Sequence, residues 1–169
     1  MKTKTFFLTT MMLALLLICS SGVQGQAKEK VIKTAINDYV YCWNNKDMAK
    51  LKIILNENFT RTVNGVKIAN NEKEMEAVIN DNFTAFPDVV ITVDNTIIKD
   101  NQSFGHWTFT GTNTGKYGEN PPTGKKVNFS GYSICIYDDA GKLTQEIVYF
   151  NELALMQQLG YTITPPVLK

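Results

Sequence analysis

The chain has 169 residues, enough for one ordinary domain. Hydrophobic side chains make up 44% and charged ones 20%, a composition that packs rather than one that stays unfolded. The net charge of +1 gives no basic excess to hold nucleic acid or an anionic membrane, and a single histidine, His106, excludes a multi-histidine metal site within one chain.

Lys2 and Lys4 precede an apolar run from Phe6 to Ile18. That run is too short for the roughly 20 residues of a membrane span. Val23 and Gly25 then occupy the small-residue positions of a signal-peptidase site. The pattern predicts an export signal over residues 1–25, a mature chain beginning at Gln26, and a secreted or periplasmic protein. Lipid anchoring at Cys19 is the alternative, although Ile18 is large where a lipobox has a small residue. Cys42 and Cys135 remain in the mature chain; in an oxidising compartment they can pair, or they can serve as two small buried hydrophobes.

Residues 26–169 read as one domain. Val31, Ile32, Ala35, Ile36, Tyr39, Val40 and Trp43 recur at helical spacing, which predicts an amphipathic helix over Ala27–Asn44. Asp47 suits the cap of a short second helix to about Leu55. Phe59–Val63 reads as a strand, followed by an Asn64-Gly65 turn. Asn71 with Glu74 has the spacing of a capping box and opens a third helix that Pro87 closes off.

From Asp88 to Phe150 the chain reads as strands. Val89–Val93 and Thr96–Ile98 are β-branched. Phe104–Thr114 alternates, with Trp107 and Phe109 on one face and His106, Thr108 and Thr110 on the other. A Gly-, Asn- and Pro-rich loop spans Gly115–Gly124. Val127–Tyr137 and Leu143–Phe150 form a hairpin around Asp138–Gly141, and a short helix over Glu152–Leu159 ends at Gly160. The fold class is α+β, with three N-terminal helices packed on a strongly bent antiparallel sheet and a short C-terminal helix. There is no phosphate loop, no Gly-x-Ser-x-Gly elbow and no Cys-x-x-Cys motif.

Several segments in this order carry a resemblance: Phe86-Pro87-Asp88; Trp107 to Gly115; Pro121 to Lys125; Gly141-Lys142-Leu143; and Asn151 to Gly160. Together they resemble the SnoaL-like polyketide cyclases, often labelled ester cyclases, of the cone-shaped nuclear-transport-factor-2-like fold. The resemblance implies an apolar cavity inside the cone that takes a small hydrophobic molecule. It also implies ring closure by an aldol reaction with neither metal nor cofactor, in which an aspartate after the last long strand is general acid/base. The matching position here is Asn151, and Asn113 stands where the family often has histidine. An amide has no titratable proton. The alternative is therefore a non-catalytic ligand-binding or dimerising module.

Candidate catalytic positions are Asn151 and, as a replacement carboxylate, Asp38 at the edge of the first helix's stripe. Asn151 can equally cap the last helix. Candidate ligand-binding residues are Tyr39, Trp107, Phe109, Asn113, Tyr149 and Ile147, the last two sharing a face with Asn151 by alternation. Arg61 can pair with an anionic ligand group. The threonine-rich face around His106 suits self-association into a homodimer.

Overall fold

The computed structural model describes residues 25–165; residues 1–24, which carry most of the expected export signal and Cys19, lie outside the described residues. Among the described residues no helix is long and apolar enough to cross a membrane.

Helix α1 covers residues 25–45. It buries Ile32, Tyr39, Cys42 and Trp43 along one stripe, while Val31 stays half outside. Helix α2 (Met48–Ile54) is capped by Asp47, whose side chain accepts from Lys50 N. Strands β1 (Leu55–Val63) and β2 (Val66–Ala69) form a hairpin. Its turn is Asn64 and Gly65, at φ of 48° and 85°, the left-handed conformation these two residues adopt most readily. Helix α3 (Glu72–Ala85) starts at the Asn71 cap. Strands β3 (Val90–Lys99), β4 (Gln102–Thr112), β5 (Lys126–Tyr137) and β6 (Leu143–Phe150) follow, then helix α4 (Glu152–Leu159). Gly160 ends α4 in the left-handed region at φ 98°.

The six strands form one sheet in the order β2-β1-β6-β5-β4-β3. Four pairings are antiparallel. β1 and β6 run parallel, with Arg61 beside Glu146. The fold is α+β as expected, and the strand read over Phe59–Val63 does precede the third helix; one correction is that the sheet is mixed, not purely antiparallel. Local pattern shows which segments are strands but carries no direction for a pair so far apart in the chain.

A register shift between Val93 and Asn95 changes which residues of β3 face inward. Ile91 and Val93 line the interior before it, and Thr96 after it. Two apolar clusters make the core. One joins α1, α2, α3 and the β1 end of the sheet around Ile32, Leu51, Phe59 and Ile79. The other joins Phe86, Phe109, Val127, Leu155 and Leu159. Between them the domain is hollow.

Candidate functional site

The cavity has a volume of about 310 Å³ and is lined by members of both core clusters. Its floor is the inner face of β4, β5 and β6; α1, α3 and α4 cover it. The wall is mostly apolar, with Trp43, Val63, Trp107, Phe109, Val148 and Phe150 prominent. Aromatic rings pack edge-on around one end: Trp107 meets Phe129 at 5.9 Å, and Phe86 meets Phe109 at 5.3 Å.

One polar cluster interrupts this surface. Glu146 on β6 points inward and is 4% exposed. Its Oε2 accepts a 2.6 Å hydrogen bond from the Tyr39 hydroxyl and pairs with Arg61 Nη1. Nη1 also donates to the Tyr39 hydroxyl at 3.1 Å. Ser133 Oγ donates to Glu146 Oε1 at 3.1 Å and accepts from Trp107 Nε1 at 3.0 Å. Arg61 lies with its guanidinium carbon 5.0 Å from the Trp43 ring centre. Side chains from α1, β1 and β5 thus converge on the one carboxyl group that β6 carries. Beside it Ser103 and Tyr137 share a 3.0 Å hydrogen bond, and Cys135 is buried.

The electrostatics follow from burial. Burial holds the Tyr39 phenol well above its usual range, and neighbouring Glu146 adds to this, so Tyr39 keeps its proton. Burial alone pulls the Arg61 guanidinium down. The attraction of Glu146 and Tyr39 outweighs it, and Arg61 stays charged with its pKa raised. Burial also pushes the Cys135 thiol and the Tyr137 phenol up. An inert thiol, neutral phenols and a charge-balanced Arg–Glu pair therefore face the cavity.

Of the residues expected from sequence, Tyr39, Trp107, Phe109 and Arg61 line this cavity. Tyr149 and Ile147 do not: the inward set on β6 is Glu146, Val148 and Phe150, and Tyr149 is 54% exposed on the opposite face. The period of two holds and the phase is reversed. Asn151 is exposed and caps α4, its side chain accepting from Ala154 N at 3.0 Å. Asn113 is buried outside the cavity wall and clasps the β4–β5 loop. It donates to the Ala85 and Gly115 carbonyls and accepts from Thr123 N and Oγ1, so no donor is left over for a ligand. Asp38 pairs with Lys50 at 2.8 Å away from the cavity. Arg61 has its charge met by Glu146 rather than by an external anion. His106 sits on the outer face, with Nδ1 3.0 Å from Asp94 Oδ2. Cys42 and Cys135 are both free thiols and both buried.

Sequence reasoning missed Glu146. The signal available was a lone carboxylate followed by Ile147 and Val148, with one arginine on another strand. Charges inside a strand usually face water, so the pair becomes visible only once β1 lies against β6.

Comparison with known proteins gives the family. The model of the SnoaL-like polyketide cyclase family matches residues 33–159. Among proteins of curated function none matches this sequence at a significant level. TsrD from Streptomyces laurentii shares 19% identity with a TM-score of 0.70, over 78% of this chain and 96% of that one. IdmH from Streptomyces antibioticus shares 16% identity with a TM-score of 0.67, over 77% and 99%. An LEH-like epoxide hydrolase of M. tuberculosis shares 12% identity with a TM-score of 0.61, over 77% and 90%. At these identities the solved structures speak for the fold alone. With the family model spanning the helices, the sheet and the cavity between them, this chain belongs to the SnoaL-like polyketide cyclase family and has its nuclear-transport-factor-2-like fold.

Proposed function

We propose that this domain binds a small, largely apolar molecule in its cavity and moves a proton on it, as a cyclase, isomerase or lyase of the family's type would. Glu146, instead of residue 151, is the acid/base group. The observation that carries this reading is the buried carboxyl of Glu146 in a mostly apolar cavity, whose other lining carboxylate, Glu152, is exposed. Oε2 is occupied by Arg61 and Tyr39, whereas Oε1 accepts only from Ser133 and keeps a lone pair. That oxygen accepts the substrate proton. Neutral Tyr39, hydrogen-bonded to the same carboxyl, holds Glu146 in place. The test is exchange of the acidic C–H of an aryl-substituted β-keto ester for deuterium. Glu146→Gln keeps the shape and removes the base. Exchange should fall by roughly 100-fold or more, while an apolar dye still binds. Unchanged exchange refutes the role.

A second reading, a dimerising module, draws on the outer sheet face. Ile97, Phe104, Ile134 and Ile147 form one cross-strand row, and Asn95, His106, Tyr132 and Tyr149 the next. Ile97, Phe104, Tyr132 and Tyr149 are exposed. Such a face suits a second copy of the chain. Sedimentation should give the dimer mass, and Phe104→Lys should shift it to monomer. For the N-terminal segment we propose cleavage after Gly25 on export, checked by finding Gln26 first in N-terminal sequencing of the secreted protein.

A further inference from the structure

Resting on the reading that the cavity takes a small apolar molecule, we propose that the unmatched edge of Arg61 fixes that molecule by a neutral oxygen atom, and that the site rejects carboxylates. A guanidinium carries five N–H donors in a rigid plane. Both hydrogen bonds that Arg61 donates leave from Nη1, to the Tyr39 hydroxyl and to Glu146. Nε is fully buried with no acceptor. Nη2 is not fully buried, and no described residue accepts from it, so it is the accessible end of this edge. These two nitrogens form one edge of the plane. A buried, charged donor left unmatched is costly, so this edge is an unmet hydrogen-bonding demand at the cavity wall. The Trp43 ring packed on the guanidinium and the Glu146 pair keep the side chain from turning to find another partner.

Charge decides which acceptor suits. Glu146 already balances Arg61, and both side chains are nearly buried, at 6% and 11% exposure. A ligand carboxylate would add an uncompensated negative charge beside this largely buried pair. A ketone, ester or ether oxygen supplies lone pairs and no charge. The neighbouring wall, with Val63, Val148 and Phe150, takes the apolar frame that carries such an oxygen.

Three naphthalenes of matched size test this: 2-acetylnaphthalene with a neutral acceptor, 2-ethylnaphthalene with none, and 2-naphthoate with a charge. Titration calorimetry on the full domain should find the ketone about 10-fold or more tighter than the hydrocarbon, and the naphthoate weaker than the ketone. Arg61→Lys keeps a positive charge for Glu146 but lacks the edge, so the two neutral compounds should bind it equally. If that variant does not fold, the double variant Arg61→Met with Glu146→Leu makes the same comparison. Equal binding of ketone and hydrocarbon to the wild type means that water alone meets the edge; this overturns the proposal and leaves the cavity reading standing. Naphthoate binding as tight as the ketone overturns the rejection of carboxylates. Failure of all three to bind overturns the cavity reading and this proposal with it.

Discussion

Arg61→Met removes one half of a buried ion pair and leaves Glu146 facing an apolar wall. The two side chains are 11% and 6% exposed, so solvent screens the pair little. Breaking such a pair from one side costs about 3–5 kcal/mol. For a domain of this size that is a fall in Tm of roughly 10–15 °C. Glu146→Leu, which strands Arg61 instead, should cost a similar amount. The double variant leaves no unpaired charge, and apolar replacement of a whole buried pair is often close to neutral. It should therefore lie within about 2 kcal/mol of wild type, far from the sum of the singles. Urea denaturation at pH 7 measures all four proteins, with a constant m-value as the check that each unfolds in the same way. Two small, additive single effects, each under about 1 kcal/mol as for surface ion pairs, would refute the reasoning that the cavity encloses a dry polar cluster.

Other substitutions test neighbouring parts. Asn151→Ala should cost about 1 kcal/mol through the lost cap of α4 and leave cavity binding unchanged, whereas Asn151→Asp should leave both unchanged; loss of dye binding in either would put residue 151 back in the site. A Cβ at Gly131 would run into the Trp107 ring and lie 2.7 Å from the Tyr149 carbonyl oxygen. Gly131→Ala should therefore lose about 1–3 kcal/mol in urea and change the near-UV spectrum of Trp107. Burial, with Asp47 nearby, pushes the Cys42 thiol from 9.0 up to about 11. Below pH 9 the thiol is protonated in both states, so its full contribution to stability is present. As pH rises toward 11 only the unfolded chain ionises, and that contribution is lost. Cys42→Ala should accordingly lose less Tm than wild type between pH 7 and about pH 10.5, and equal losses would exclude the thiol as a source.

The legible parts of this molecule are those with strong local contrast. On β4 the threonines and His106 oppose Trp107 and Phe109, so the inward face follows from alternation, and it is the face that lines the cavity. On β6 each face carries one polar or charged residue and larger apolar ones: Gln145, Ile147 and Tyr149 against Glu146, Val148 and Phe150. Alternation there has a period and no phase, and the choice is made by the neighbours on β1 and β5. Asn151 and Asn113, expected at the site from the resemblance, serve local structure, one as a cap and one as a loop clasp. The central carboxyl was out of reach because its partners come from α1, β1 and β5, and Arg61 lies 85 residues away in the chain.

That separation also governs when the cavity comes into being. Translation at roughly 5–20 residues per second places Arg61 outside the ribosome roughly 4–17 s before Glu146 follows it. During that interval any early collapse of α1, α2 and β1 would trap a guanidinium without its carboxylate, an expense that disfavours compact intermediates. The parallel union of β1 with β6 is likewise a contact between segments far apart in the chain, a class of pairing that forms slowly. The cavity is therefore complete only once β6 has docked beside β1.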